Sequence, residues 1–335
     1  MSVVDVHAHV LLPGLQAAVA ERDPAGAAAA QALDALRQGP ESLRVSGGMI
    51  RERFERLTVL ERRLADMDAG GIDVQIVSPS PSHYYPWADA ALAEWSAREA
   101  NRLVAELVGR APSRLRGLGL IAAQHPELCV ELLDDALAQG LAGVEISSTA
   151  NGVELSDRRL DPFWARAEES RAVLFLHPFG CTLDERIDTH YLSNIVGQPT
   201  ENAIALSHLI FGGVLDRFPG LRVVAAHGGG YLPTSIGRSD HGWRVRPEAR
   251  SCENPPSSYL RRLYFDSLTH SPAELRALVA VAGSGRVLLG SDYPFDMGVD
   301  DPVGAAREAG LRPDTLDALL GGNASALFAL EAVAR

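Results

Sequence analysis

The sequence contains no lysine; all 31 of its basic side chains are arginines. That absence excludes catalysis through a lysine Schiff base, and it excludes a metal site bridged by a carboxylated lysine. Cysteine is scarce as well. Cys129, Cys181 and Cys252 are odd in number and far apart, with no C-x-x-C or zinc-ribbon spacing. A reducing compartment, the cytoplasm, is therefore expected. No run of about 18 consecutive apolar residues is present, which argues against a membrane-spanning helix. The start has no basic segment leading into a long apolar one, so no secretory leader is expected. A net charge of −12 argues against nucleic acid as a partner. Also missing is a glycine-rich phosphate loop after the first strand-like run, which an open dinucleotide-binding sheet would normally carry.

What the chain does have is alternation. Short β-branched runs lie near Val3–Val6, Val74–Ser78, Leu115–Leu120, Gly143–Ile146, Val173–Leu176, Val223–Ala226, Leu263–Asp266 and Val287–Gly290, eight in all. Between them run amphipathic Ala/Leu/Arg stretches such as Ala90–Val108 and Ala273–Ala282. Alternation of this kind predicts parallel β-α-β units. Eight units in one chain predict an α/β fold of the (β/α)8 TIM-barrel type. No linker or repeat divides residues 1–335, so a single domain is expected. Residues 11–66 form an insertion after the first strand, and long loops follow the fifth strand (Gly180–Ile204) and the sixth (Gly228–Ser258). Loops of that length after barrel strands lie on the catalytic face.

The ends of these runs repeat one chemistry. His7 and His9 follow Val3–Val6, and residues i and i+2 of a strand share a face. His177 ends the fifth strand, His227 the sixth and Asp292 the eighth. A barrel brings those ends together. Imidazole and carboxylate suit zinc or a similar divalent ion. The residues alone do not separate His227 from the metal ligands. Asp266 and His270, at the end of the seventh strand, could line the site, and His83, Tyr84, Tyr85 and Trp87 could form an aromatic wall.

The ordered set His7-Ala8-His9, His177, His227-Gly228-Gly229-Gly230 and Gly290-Ser291-Asp292-Tyr293-Pro294-Phe295 resembles the amidohydrolase superfamily. Within it, the set is similar to the decarboxylase branch typified by aminocarboxymuconate-semialdehyde decarboxylase. The likeness extends to Met67–Gln75 and Gly322-Asn323-Ala324, over nearly the whole chain. The resemblance implies one zinc ion on His7, His9, His177 and Asp292. It makes His227 the base, and in the decarboxylation expected of such a site Asp292 shuttles the proton. It also implies that Arg51 and Arg238 grip substrate carboxylate, Arg238 from the neighbouring subunit of a homodimer, as an arginine fork suits. His7, where aromatic-acid decarboxylases often carry Glu, favours the semialdehyde-decarboxylase type.

Two places depart from the family pattern. His177-Pro178-Phe179-Gly180 stands for His-Pro-Trp-Asp, and Phe295-Asp296-Met297-Gly298 for Pro-Leu-Gly-Glu. Phe179 and Phe295 are thus expected to shape the substrate pocket. The expected activity is metal-dependent, redox-neutral decarboxylation of an unsaturated or aromatic carboxylic acid. The alternative on the same scaffold is a hydrolase or hydratase acting on a lactone, amide or enol acid.

Overall fold

The computed structural model describes residues 2–330. Nine short strands, all parallel to their neighbours, form its centre: β1 (Val4–Val10), β2 (Val74–Pro79), β3 (Leu115–Gly117), β4 (Gly119–Leu120), β5 (Gly143–Ser147), β6 (Val173–His177), β7 (Arg222–Ala225), β8 (Tyr264–Asp266) and β9 (Val287–Leu288). They pair in two sheets, β1-β2-β3 and β4-β5-β6-β7-β8-β9. Backbone bonds bridge the gap between the sheets, from Leu118 N–H to the Val77 carbonyl and from Ala142 N–H to the Gly117 carbonyl. Others join the far ends, from Val6 N–H to Leu289 and from His9 N–H to Tyr293. The eight-strand ring of a (β/α)8 barrel results, and Leu115–Leu120 is its third strand broken at Leu118.

Helices cover the outside because strand residues facing outward are apolar. Val144, Ile146, Leu174, Leu176, Val223 and Ala225 join the helical layer in one core. Inside the ring, Val4, Val6, Val74, Ile76, Leu118, Val173, Phe175, Val224, Ala226 and Leu288 pack as a second core with Ala324 and Leu327. Burial on both faces is the mark of parallel strands. The insertion after β1 is five helices between Pro13 and Ala69, four of which have proline or leucine at their first position (Pro13, Pro24, Pro40, Leu60). Proline is pre-set for that place. The loop after β6 packs back on this insertion, where a Cβ on Gly39 would strike the Asp188 carbonyl.

β1 contains a bulge. Its pairing with β2 slips between Asp5 and Ala8. Val4 and Val6 face the barrel interior, Ala8 and Val10 face the helices, and His7 turns inward against the ring of Phe175, 4.9 Å away. A bulge adds one residue and re-aims the side chains after it. Strict alternation would have sent His7 outward, into the helical layer.

Candidate metal centre

Each inward side chain is held by what lies behind it. Asp5, facing out, accepts from Ser291 N–H at 3.0 Å, Ser291 Oγ at 2.6 Å and Gln75 Nε2 at 2.9 Å, which ties the first, second and last barrel strands together. The buried Arg63 of helix Leu60–Ala69 donates to Gln75 Oε1 at 2.6 Å and to the His9 carbonyl at 2.5 Å. Burial pulls its guanidinium pKa down to about 10. On the site side, His7 Nδ1 stands 2.7 Å from Asp266 Oδ2. His9 Nδ1 stands 3.2 Å from Ser78 Oγ, 3.4 Å from the Pro79 carbonyl and 3.8 Å from Glu145 Oε2.

The later strands end in strained turns. His227 (φ 53°), Gly228 (59°), Gly229 (78°) and Gly230 (62°) are all left-handed. Their geometry is set by Asp266, whose two oxygens accept from His227 N–H at 2.9 Å and Gly228 N–H at 2.8 Å. Glycine is required here because a Cβ on Gly230 would lie 2.2 Å from the Pro199 carbonyl. Asp292 is also left-handed, at φ 57°. Strained backbone of this kind gathers at functional sites.

All five predicted polar groups converge. His7 Nε2, His9 Nε2 and Asp292 Oδ1 form a triangle with sides of 3.1, 3.3 and 3.4 Å. A tetrahedral ion with ligands at about 2.0–2.1 Å has edges of about 3.3–3.4 Å. The His177 ring lies 5.0 Å from that of His7 and 4.8 Å from that of His9. Ligand atoms of His7, His177, His227 and Asp292 also fall within 4.8 Å of one another. His227 differs in position: its Nε2 is 3.8 Å from the other oxygen, Asp292 Oδ2, and its side chain is 16% exposed where His7 and His9 are sealed.

The residues fit a cation. Both ring nitrogens of His177 and Asp292 Oδ1 are buried without a hydrogen-bond partner, a costly state that an ion on the cluster would relieve. Burial and the neighbouring imidazoles of His9, His227 and His7 hold His177 well below the usual histidine range, so one ring nitrogen keeps a free lone pair. Burial opposes charge on His7, yet Asp292 and Asp266 raise its pKa to about 10. Against burial, His7, His227 and His9 keep Asp292 ionised, well below the usual carboxylate range. Two carboxylates facing an imidazole cluster make a place where positive charge is strongly favoured.

A cavity of about 500 Å³ opens at His227 and Asp292. Ile195, Pro199, Tyr231, Leu278, Val281 and Met297 give it mainly apolar walls. Phe295 lies 5.4 Å from the His9 ring at a tilt of 49°, and Phe179 packs edge-on against Tyr84 at 6.2 Å. Arg51 and Arg238 are exposed, on helices Pro40–Glu52 and Leu232–Val245, and neither lines this cavity. Arg53 instead reaches the barrel mouth, donating to the Pro294 carbonyl at 2.7 Å and the Phe295 carbonyl at 3.1 Å. Of the expected aromatic wall, His83 is sealed away, accepting from Leu12 N–H at 3.0 Å. His270 does line the cavity, and His208 pairs with Ser156 Oγ at 2.9 Å. Sequence reasoning undervalued Asp266 and missed Asp5, Arg63, Gln75 and Glu145; only the polar interruptions in otherwise apolar strands could have flagged Asp5, Gln75 and Glu145.

The amidohydrolase family profile matches residues 4–330. The chain is similar to 2-amino-3-carboxymuconate-6-semialdehyde decarboxylase of Dictyostelium discoideum, 32% identical over 337 residues, covering 98% of this chain and 92% of that protein. It is similar in structure to 5-carboxyvanillate decarboxylase of Sphingomonas paucimobilis, with TM-score 0.84, 27% identity and coverage of 98% and 99% of the two chains. A second similar structure is the 5-carboxyvanillate decarboxylase of Novosphingobium aromaticivorans complexed with manganese and 4-hydroxy-3-methoxy-5-nitrobenzoic acid. It has TM-score 0.83, 25% identity and coverage of 98% and 96%.

Proposed function

This chain belongs to the amidohydrolase family, and from that premise we propose that it is a redox-neutral carboxy-lyase acting on a small unsaturated or aromatic carboxylic acid. The observation that carries this is the convergence of His7, His9, His177, His227 and Asp292 beside an apolar cavity, in a chain whose similar proteins are decarboxylases. His7, His9, His177 and Asp292 would hold one divalent ion. The tight His7–His9–Asp292 triangle supports His9 as a ligand, and the longer, cavity-facing approach of His227 supports a role outside the ligand set. We take the ion to be zinc, for which three imidazoles and a carboxylate are suited; manganese, as in the similar structure, is the competing identity.

When bound, such an ion supplies Lewis-acid polarisation and lowers the pKa of a water beside it. The chain's own residues supply the rest. Decarboxylation breaks the bond to the carboxylate carbon, leaves its electron pair on the substrate carbon, and requires one proton there. His227 Nε2, at the cavity edge and 3.8 Å from Asp292 Oδ2, is placed to take a proton and deliver it. Asp292 steadies the charge that His227 acquires. Apolar walls exclude water and favour loss of a charged group as neutral CO2. No electrons are exchanged, so no redox cofactor is needed. In this reading the exposed Arg51 and Arg238 keep their part as grips for a carboxylate, Arg238 from a second copy in a homodimer; light scattering and mixed-variant complementation test that part.

The central test is CO2 release from a panel of carboxymuconate-type and hydroxybenzoate acids by the metal-loaded protein. His227→Ala should lower kcat by about 10²–10⁴, the usual worth of a positioned acid or base. Uptake of water with no loss of carbon would overturn the decarboxylase reading in favour of a hydratase.

A further inference from the structure

We infer that Glu145 is the positioning carboxylate of His9, as Asp266 is of His7. This rests on the proposal that the cluster holds a divalent ion. Glu145 lies on β5, opposite Phe175, with its side chain in the barrel interior and fully buried. Its Oε1 accepts the Tyr84 hydroxyl, which itself stands 3.4 Å from the His177 carbonyl. Its Oε2 is buried with no hydrogen-bond partner. Among the described residues the one basic group within ion-pair reach is His9, whose Nδ1 is 3.8 Å from that oxygen.

A buried carboxylate oxygen without a partner is expensive, and the cost calls for a compensating charge. His9 provides it once its Nε2 is given to a cation. The ring proton then sits on Nδ1, and a neighbouring acceptor fixes both tautomer and ring orientation. Three acceptors surround that nitrogen: Ser78 Oγ, the Pro79 carbonyl and Glu145 Oε2. Only Glu145 brings a negative charge to offset the ion. The two histidines of β1 are thus backed from different strands, His7 by β8 through Asp266 and His9 by β5 through Glu145.

The test uses the full chain, stripped with a chelator and reloaded. Affinity for Zn2+ and Mn2+ is measured by chelator competition, and the visible spectrum is recorded with Co2+. Glu145→Gln keeps the size and the acceptor for Tyr84 but removes the charge. It should weaken ion affinity by about 10–100-fold and shift the Co2+ bands, with the melting temperature of the metal-free protein close to that of the parent. Tyr84→Phe, which frees Oε1 but keeps the charge, should weaken affinity only a few-fold. Parental affinity and spectrum in folded Glu145→Gln protein would overturn the inference. Should that variant not fold, parental affinity in both Glu145→Asp and Tyr84→Phe overturns it instead. A parent that binds no ion at all would overturn the proposed function too, so the two failures are told apart.

Discussion

Asp266 serves four partners with two oxygens: it holds His7 Nδ1 and the backbone N–H groups of His227, Gly228 and Leu268. Asp266→Asn would keep the shape but pit an amide N–H₂ against those donors. Ion affinity should fall about 10–100-fold, read by chelator competition. A second residue-scale effect is on stability. Burial depresses His83 to a pKa of about 4, so the unfolded chain, with histidine near 6.5, binds the extra proton between those values. Stability should therefore be lost as pH falls from about 6.5 to 4, by on the order of 3 kcal/mol from this group. In a denaturant series across that range, His83→Gln should show the shallower slope. The clustered histidines were legible because they stand at the ends of apolar strand runs, His7 and His9 together on the first. Asp266 and Glu145 were not, since their meaning lies in partners far away in the chain: His7 and Asp266 are 259 residues apart.

At the scale of elements, strand positions followed from the β-branched runs, while strand lengths did not. The third strand breaks at Leu118 and the last is reduced to Val287–Leu288, because pairing depends on neighbours that no local run reveals. The bulge in β1 is the sharpest case. His7 and His9 share a face, as the i, i+2 rule says, but the face is the interior only because the strand slips by one residue after Asp5. The His-Gly-Gly-Gly run was legible as a motif, and the structure supplies its reason in four successive left-handed residues. Gly230→Ala adds a Cβ 2.2 Å from a backbone oxygen at positive φ, and should destabilise by at least about 1–3 kcal/mol while displacing His227. Gly109→Ala, in helix Ala90–Arg110 with open space around it, should stabilise by about 0.5–1 kcal/mol. Urea unfolding of the pair separates a required glycine from a tolerated one.

For the whole molecule, the barrel was legible from strand-helix counting, but its two seams were not. Both are stitched by backbone bonds outside the regular ladders, Leu118–Val77 and Ala142–Gly117 at one and Val6–Leu289 and His9–Tyr293 at the other. A ligand that binds only the folded chain stabilises it by about 2.7 kcal/mol at 100 times its Kd, so metal above its Kd should raise the melting temperature with the logarithm of its concentration and a chelator should reverse it. The absence of lysine makes a separate prediction: an amine-reactive dye should label the α-amino group alone, seen as one adduct by intact mass. The seam at β1 and β9 has one more consequence. The His–Asp cluster takes His7 from the first strand and Asp292 from just beyond the last, so during synthesis the cluster stays open until Asp292 has left the ribosome. If the cluster takes up an ion as proposed, it does so only after its last member is made, and a nascent chain stalled short of Asp292 should come off the ribosome empty.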